Sequence, residues 1–585
     1  MLRKAMIPFF ALALACSEKS ISGDAELDGA DPSPDEGEQD CTEPPGCEGR
    51  DIVACGEVVG WCDPGRGEAC LDGECVTGCE HVDLIGNNLG CEFWAADLDN
   101  AMISSTLDAS SQKYAVVVGN PGTEDASITV ERSDAAVGAA PDVAVALEMT
   151  LAAGEMTELD LERREVDGST LLGLDDGTGT ALTANAYHIL STRPIVAYQF
   201  NPLENTGMFS SDASLLVPAH GLGTSYAVLG WPQTVSSTPT DPDIDMGDDL
   251  RAFVTVIGTR PSTHVHVELG AAALGALGDG DTIPAMGPGD ALDVVLGAFE
   301  VLNIESDRFM SDFTGTLVTA DGPIAVFSGS EASDVPTFET LASRLCCSDH
   351  LEHQIYPVGS QGRTFVAALT PMRTAAVLEA GGDVTVPTEG EREFFRILAI
   401  EDGTTVTTTL DPPDATFVLD AGEFRTLETR TDFLVESDGP VSVGQFVAGQ
   451  GATGMESDFP GGDPSFIVLT PESGWRRTYQ FAVPPGYGFD FVIMAHAAGA
   501  AIRLDGAPLP EYCEGLDVEG TGHAVTRCQL SFPVVMNGAT PPDNILPGEQ
   551  GDGMHEVTSD TEMGVIVYGF DNFISYGYSA GAGTQ

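Results

Sequence analysis

A strand signature that recurs four times constrains this chain more than any other feature. One copy is His188-Ile-Leu-Ser-Thr-Arg-Pro194 running into Ile195-Val-Ala-Tyr-Gln-Phe200. A second is Leu317-Val-Thr-Ala-Asp-Gly-Pro323 with Ile324-Ala-Val-Phe327, and a third is Phe433-Leu-Val-Glu-Ser-Asp-Gly-Pro440 with Val441-Ser-Val-Gly-Gln-Phe446. Val557-Thr-Ser-Asp560, then Met563-Gly-Val-Ile-Val-Tyr568, is a degenerate fourth. The prolines are 129 and 117 residues apart, and Met563 follows Pro440 by 123. Each copy reads as strand, tight turn, strand, because proline presets φ and Asp-Gly supplies the bend. The strand after the turn is apolar and is expected to be buried on at least one face. Segments such as Ala153–Leu159 and Ala421–Leu427 precede the first and third copies, so each unit of about 120 residues has room for roughly six to eight strands.

The rest of the chain from Glu92 has the same texture. Tyr114–Val118, Ala252–Ile257, His264–Leu269 and Phe395–Ile400 are short runs rich in β-branched residues, separated by Gly, Pro, Asp and Thr clusters. No long apolar stretch carries a helical period. The expected fold is all-β. Repeated antiparallel four-stranded sheets in a propeller-like ring suit the grouping and the lack of linkers. Tandem β-sandwiches are the alternative that the repeat length allows.

The first 91 residues differ. Arg3 and Lys4 precede an apolar stretch, Ala5–Ala15, that is too short to span a bilayer. Ala13-Leu-Ala-Cys16 resembles a bacterial lipobox, which implies cleavage after residue 15 and a lipid on Cys16. An ordinary secretory signal cleaved nearby is the other reading, and both export the chain. Ser17 rather than Asp after the cysteine points to the outer membrane or cell surface. Residues 16–40 carry nine acids between Ser17 and Asp40 and almost no large apolar side chain, the composition of a disordered, self-repelling tether. Residues 41–91 hold Cys41, Cys47, Cys55, Cys62, Cys70, Cys75, Cys79 and Cys91. An even count in a short, exported, Gly- and Asp-rich segment is expected to form disulfides, because so small a core needs cross-links. Zinc on a set including Cys75 and Cys79 is the competing reading. Eight cysteines leave about 105 pairings open.

Lys plus Arg number 24 and Asp plus Glu 91, a formal net charge of −67. Such a chain repels nucleic acid, whose binding needs clustered cations. It attracts divalent cations instead. Asp241, Asp243, Asp245, Asp248 and Asp249 crowd one Gly-bearing loop and are candidate calcium ligands, although their spacing is not that of an EF-hand. A solvated acidic loop is the plainer reading. Asp97-Leu-Asp-Asn100 is a second, weaker cation candidate. Cys346, Cys347, Asp349, His350, Glu352 and His353 have zinc-ligand chemistry. In an exported chain they read instead as a disulfide, vicinal or to another cysteine, followed by a helical turn with solvated His and acids. Cys513 and Cys528 are a further disulfide candidate. His264 and His266 alternate on a strand and are expected at the surface. Gly577-Tyr-Ser579-Ala-Gly581 matches a nucleophile elbow, but only four residues follow it and none is Asp or His, so it is read as a tail after a final strand. Paired carboxylates for glycoside hydrolysis are available everywhere by chance.

Several stretches resemble the IgGFc-binding protein N-terminal domain family and its bacterial relatives. They are Gly90–Ala101, Tyr198–Asn205, Ser211–Pro218, Gly230–Thr234, Cys346–His353 and Tyr568–Tyr578. The similarity spans roughly residues 90 to 585 and covers the 92–585 β-repeat region. It implies a surface-exposed binding or adhesive module and supplies no catalytic residue. The expected function is non-catalytic binding of an extracellular protein or glycan by a lipid-anchored ectodomain. A glycan-directed extracellular hydrolase and a structural envelope protein are the alternatives.

Overall fold

Runs of Val, Ile, Thr and aromatic residues, cut by Gly, Pro and Asp, form antiparallel strands, and helix among the described residues is confined to short pieces. A computed structural model describes residues 44–48, 50–63, 67–82, 88–104, 107–169, 178–203, 210–276 and 283–581. The first unit centres on β1 (Gly90–Ala95), β2 (Ala115–Gly119), β3 (Ala126–Ser133) and β4 (Tyr187–Asn201) in a seven-stranded sheet. The second has β5 (Ala252–Gly258), β6 (Ile324–Asp334) and β7 (Ser348–Gln354) in a five-stranded sheet, backed by a four-stranded one. The third holds α1 (Arg373–Glu379), β8 (Glu393–Ala399) and β9 (Phe433–Val447), the strands lying in a seven-stranded sheet. The fourth has β10 (Phe489–Ala497), β11 (Glu514–Val518), β12 (His523–Gln529), β13 (Gly553–Asp571) and β14 (Ile574–Ser579) in an eight-stranded sheet.

The repeated signature does not fold as the expected hairpin in three of its copies. β4, β9 and β13 are single long strands that change partners midway. Tyr187–Ser191 of β4 pairs with β3, whereas Val196–Phe200 pairs with β2. The ladder with β1 slips between Leu190 and Ile195. Proline has no N–H to donate, so the ladder breaks at Pro194 and the strand bends into a second half-sheet. β9 behaves alike around Pro440, pairing Phe433–Glu436 with Thr364–Ala367 and Val441–Phe446 with β8. The second copy does split, into Leu317–Ala320 and β6, which lie in different sheets. This bending explains the departure from four-stranded blades. A strand that serves two half-sheets pairs with four others, so its sheet grows to seven or eight strands, and the sheets curl as half-barrels with no closed propeller among the described residues.

Tandem sandwiches are also not what forms, because separate beads would have separate cores. One apolar cluster runs from Leu89 through Tyr198, Trp231, Phe446 and Phe466 to Tyr578 and Ala580. One inner strand from each unit reaches this centre: Asp212–Leu215, β7, Ser465–Val468 and β14. The first and third of these each touch both β7 and β14. Arg396 of β8 clasps the second unit. Its guanidinium lies 4.4 Å from the Trp231 ring and 4.6 Å from Phe424, and it binds Asp312 at 2.7 Å and the Gly230 carbonyl at 2.6 Å. A buried cation is tolerable there because it is both paired and stacked.

The cysteine-rich segment is small strands held by Cys47–Cys70, Cys62–Cys75 and Cys79–Cys91, and Cys55 is disulfide-bonded as well. It packs on the β units: Arg50 meets Glu562 at 2.9 Å, and the Cys79 Sγ lies 3.4 Å from the Ser191 carbonyl. Pro45–Gln585 accordingly forms one compact unit.

Candidate ligand-binding groove

The groove lies between the third and fourth units and begins with the short helix α1. Arg373 anchors it. The guanidinium is fully buried and donates to the carbonyls of Gly461 at 2.9 Å and Ala448 at 2.6 Å. Glu391 accepts from the Thr374 amide and hydroxyl at 2.8 and 2.7 Å, capping the helix start, where a carboxylate suits the free amides. With that face fixed, Met372, Ala375 and Glu379 line one wall. Phe491 of β10, Arg527 and Gln529 of β12, and Glu514 and Leu516 of β11 form the other. The space between is a cavity of about 700 Å³, in the range of ligand sites.

The groove is acidic with apolar points. Glu379, Glu389, Glu514, Asp517 and Glu519 line it and are exposed. Arg527 is engaged within the wall, donating through Nε to the Leu369 carbonyl at 3.0 Å and pairing with Asp432. Glu393 sits at the floor, accepts from the Thr370 amide at 2.8 Å and from Gln445, and has its pKa raised by burial despite those donors. Leu516 is 60% exposed and Tyr512 is 51% exposed, edge-on to Phe532 at 5.2 Å, and both face the groove. β11 is the outermost strand of its sheet, paired with β12 and with no other strand among the described residues. The Cys513–Cys528 disulfide staples the two.

The structure distributes the residues singled out in the sequence. Cys513 and Cys528 bond to each other behind the groove, each between residues that line it. Cys346 and Cys347 bond to each other. The residues after them form no helical turn with solvated side chains. They form the strand β7, in which Asp349, His350, Glu352 and His353 are all fully buried. On a strand, positions three apart face opposite ways. His350 packs against Phe253 and His353 against Tyr356 and Phe466, so they do not share a ligand sphere. Burial lowers both imidazoles, to about 3 and about 4. His264 and His266 are exposed on one strand face. Ser579 is buried in β14 and donates to the Val468 carbonyl at 2.7 Å, which is not a nucleophile's position. Cys16 and Cys41 lie outside the described residues.

The Asp241–Asp249 loop uses its carboxylates on its own backbone. Asp245 accepts from the amides of Thr238 at 2.9 Å and Gly247 at 3.2 Å, Asp249 from Ser237 at 2.9 Å, and Asp241 from Asp243 at 3.3 Å. Among the described residues the carboxylates that do converge are Asp99, Glu305 and Glu331, with one oxygen of each within 4.8 Å of the others. Asp99 belongs to the second acidic segment, Asp97–Asn100. The two glutamates carry no local sign of this, since nothing near them in sequence distinguishes them among so many acids. Their oxygens are the hard type calcium prefers, and Arg251 shares the neighbourhood, its amide 2.7 Å from Glu331 Oε1. The groove residues are equally inconspicuous in the sequence. The one local signal is Leu516, a large aliphatic side chain among Glu511, Glu514, Asp517 and Glu519 in a stretch too acidic for a core.

Comparison with known proteins gives this geometry a family. The model of the IgGFc binding protein family matches residues 212–569, which includes the whole groove. The human IgGFc-binding protein is 22% identical over 375 residues, 64% of this chain. This chain spans only 6% of the length of that relative. With more than half of its length matched by the family model, the chain belongs to the IgGFc-binding protein family.

Proposed function

We propose that this protein is an exported, non-catalytic binding protein that takes an extracellular protein ligand in the groove between its third and fourth units. The groove itself carries the reading: a preformed cavity with exposed Leu516 and Tyr512, held by a disulfide and by the anchored helix α1. Family membership supports it, as does the human relative, whose name gives IgG Fc as its ligand. The disulfides suit an oxidising, extracellular setting. Adhesion at a cell surface, with a lipid on Cys16 as the tether, completes the proposal. A single acyl chain holds a protein only marginally, so multiple acylation at that position would supply the anchorage.

Surface plasmon resonance of the full-length protein against a panel of extracellular proteins, IgG Fc included, tests the binding. At least one should bind, and Leu516→Asp with Tyr512→Ala should weaken it at least tenfold, since exposed aromatic and aliphatic anchors dominate such contacts. No ligand, or binding indifferent to both substitutions, overturns the groove assignment. Cys16→Ser should move the protein from the detergent phase to the soluble fraction or leave it unprocessed. Unchanged partitioning rejects the tether.

A further inference from the structure

We propose that the groove's occupant is a Lys- or Arg-bearing segment of the protein ligand, extended along the open edge of β11. This rests on the groove being the binding site and names what it selects. Two independent observations carry it. The first is charge. Five exposed carboxylates line the groove, and Arg527 is already committed to Asp432 and the Leu369 carbonyl. Exposed Arg430 is the other cation of the lining, so the field in the cleft is strongly negative. A low-dielectric cleft lined by one sign concentrates the opposite sign. An anionic segment would meet like charges on both walls.

The second observation is the backbone. β11 ends its sheet, and a strand at an edge presents a row of amides and carbonyls that an added strand completes. Along β11 the side chains of Glu514 and Leu516 both enter the groove lining while Val518 is buried. An extended segment there would set the side chains of one face against Glu514 and Leu516, where a basic residue's charged end meets the carboxylate and its aliphatic stem the leucine, and would set its other face beside Asp517. The disulfide to Cys528 holds this edge in place before any partner arrives, which lowers the ordering cost of binding. Acids on an edge strand also deter self-association, and the two roles are compatible: the charge that rejects a second acidic copy admits a basic strand.

The test uses the full-length protein and a fluorescein-labelled heptapeptide alternating Lys and Val, read by anisotropy. Binding is expected and should weaken at least tenfold between low and high salt. Glu514→Lys with Asp517→Lys should abolish it, while Glu268→Lys with Asp293→Lys, exposed on another sheet, should leave it intact. A peptide N-methylated at alternate residues keeps charge and side chains but cannot complete the edge, so it should bind at least tenfold more weakly. Equal affinity for the Lys and the matching Glu peptide, or an effect of the control pair as large as that of the groove pair, overturns the charge argument. Full binding by the N-methylated peptide overturns strand addition. Spermine matching the peptide would mean that charge alone is read, which also overturns it. If a protein ligand binds through Leu516 and Tyr512 but the Lys peptide does not compete, this inference fails and the groove assignment stands. If groove substitutions affect no ligand at all, the assignment itself fails.

Discussion

Asp349 and Asp463 stand at matching places, each eight residues before a proline, Pro357 and Pro471, that opens a short 3-10 turn. The folded chain brings both to the buried centre. The Asp463 amide donates to Ser575 Oγ at 3.1 Å, the Ser575 carbonyl accepts from the Ser211 hydroxyl at 3.4 Å, and the Ser211 amide donates to Asp349 at 2.7 Å. Burial raises Asp463 to about 8, opposed by Arg373 and by the backbone amides of Gln450 and Cys347, and aided by Asp334. Asp349 is raised by burial and then by Asp463. A carboxyl raised in the folded state holds a proton that the unfolded chain releases. Its stabilising effect is therefore complete below the ordinary carboxyl range and is lost as pH rises through about 8. Urea unfolding should show stability falling between pH 5 and 8. Asp463→Asn, which keeps the shape and removes the titration, should flatten that slope by up to about 1.4 kcal/mol per pH unit. An unchanged slope would mean that Asp463 is ionised in the folded protein.

At the scale of elements, the long bent strands and the close approach between strands hold the architecture. Gly329 of β6 is the clearest case. A Cβ there would overlap the Leu351 carbonyl of β7 and press on the Phe253 ring, and the first obstacle is backbone, which cannot rotate away. Gly329→Ala is predicted to cost about 1–3 kcal/mol or more, measured by thermal or urea unfolding. Gly444→Ala presses on the Leu229 side chain instead, whose far end can shift, so it should cost less. Equal costs would indicate that β6 and β7 separate freely. The signature was legible as strand material because its residues are β-branched and apolar. Its shape was not, since proline ends a hairpin's first strand and kinks a single strand with the same local chemistry. Which occurs depends on whether partners await the second half.

For the molecule as a whole, the cysteine-rich segment and the β units have different sources of stability. The β units bury extensive apolar clusters, one of which runs through all four units. The described residues from Pro45 to Cys91 offer few buried side chains, and the segment relies on its cross-links, each of the kind that contributes about 2–4 kcal/mol. Reduction of the native protein should therefore open this segment to protease at least tenfold faster, with the first cuts mapped by mass spectrometry before Cys91 and the β units outlasting it. Simultaneous loss of both parts would mean that the segment's contacts, such as Arg50 with Glu562, hold the whole unit together. The net charge of −67 reinforces the contrast, because self-repulsion weakens a part that has little core to oppose it.

By itself the sequence determined the all-β class, the recurring strand signature and the cysteine-stapled start. Each follows from local rules: β-branched runs between turn residues, a recurring proline, and cysteine density in a short segment. It also carried the family resemblance, since distinctive short stretches survive where overall identity is low. Tertiary structure alone decided the rest. Whether Cys346–His353 would be solvated or buried, which acids among the described residues converge, and which acidic stretch would line a groove all depend on strand pairings between distant residues. Glu514 and Glu379 are 135 positions apart and have no local mark in common. They face one cleft only because β11 falls at a sheet edge and Arg373 turns α1 toward it, and neither fact has a local signature, since long-range packing sets both.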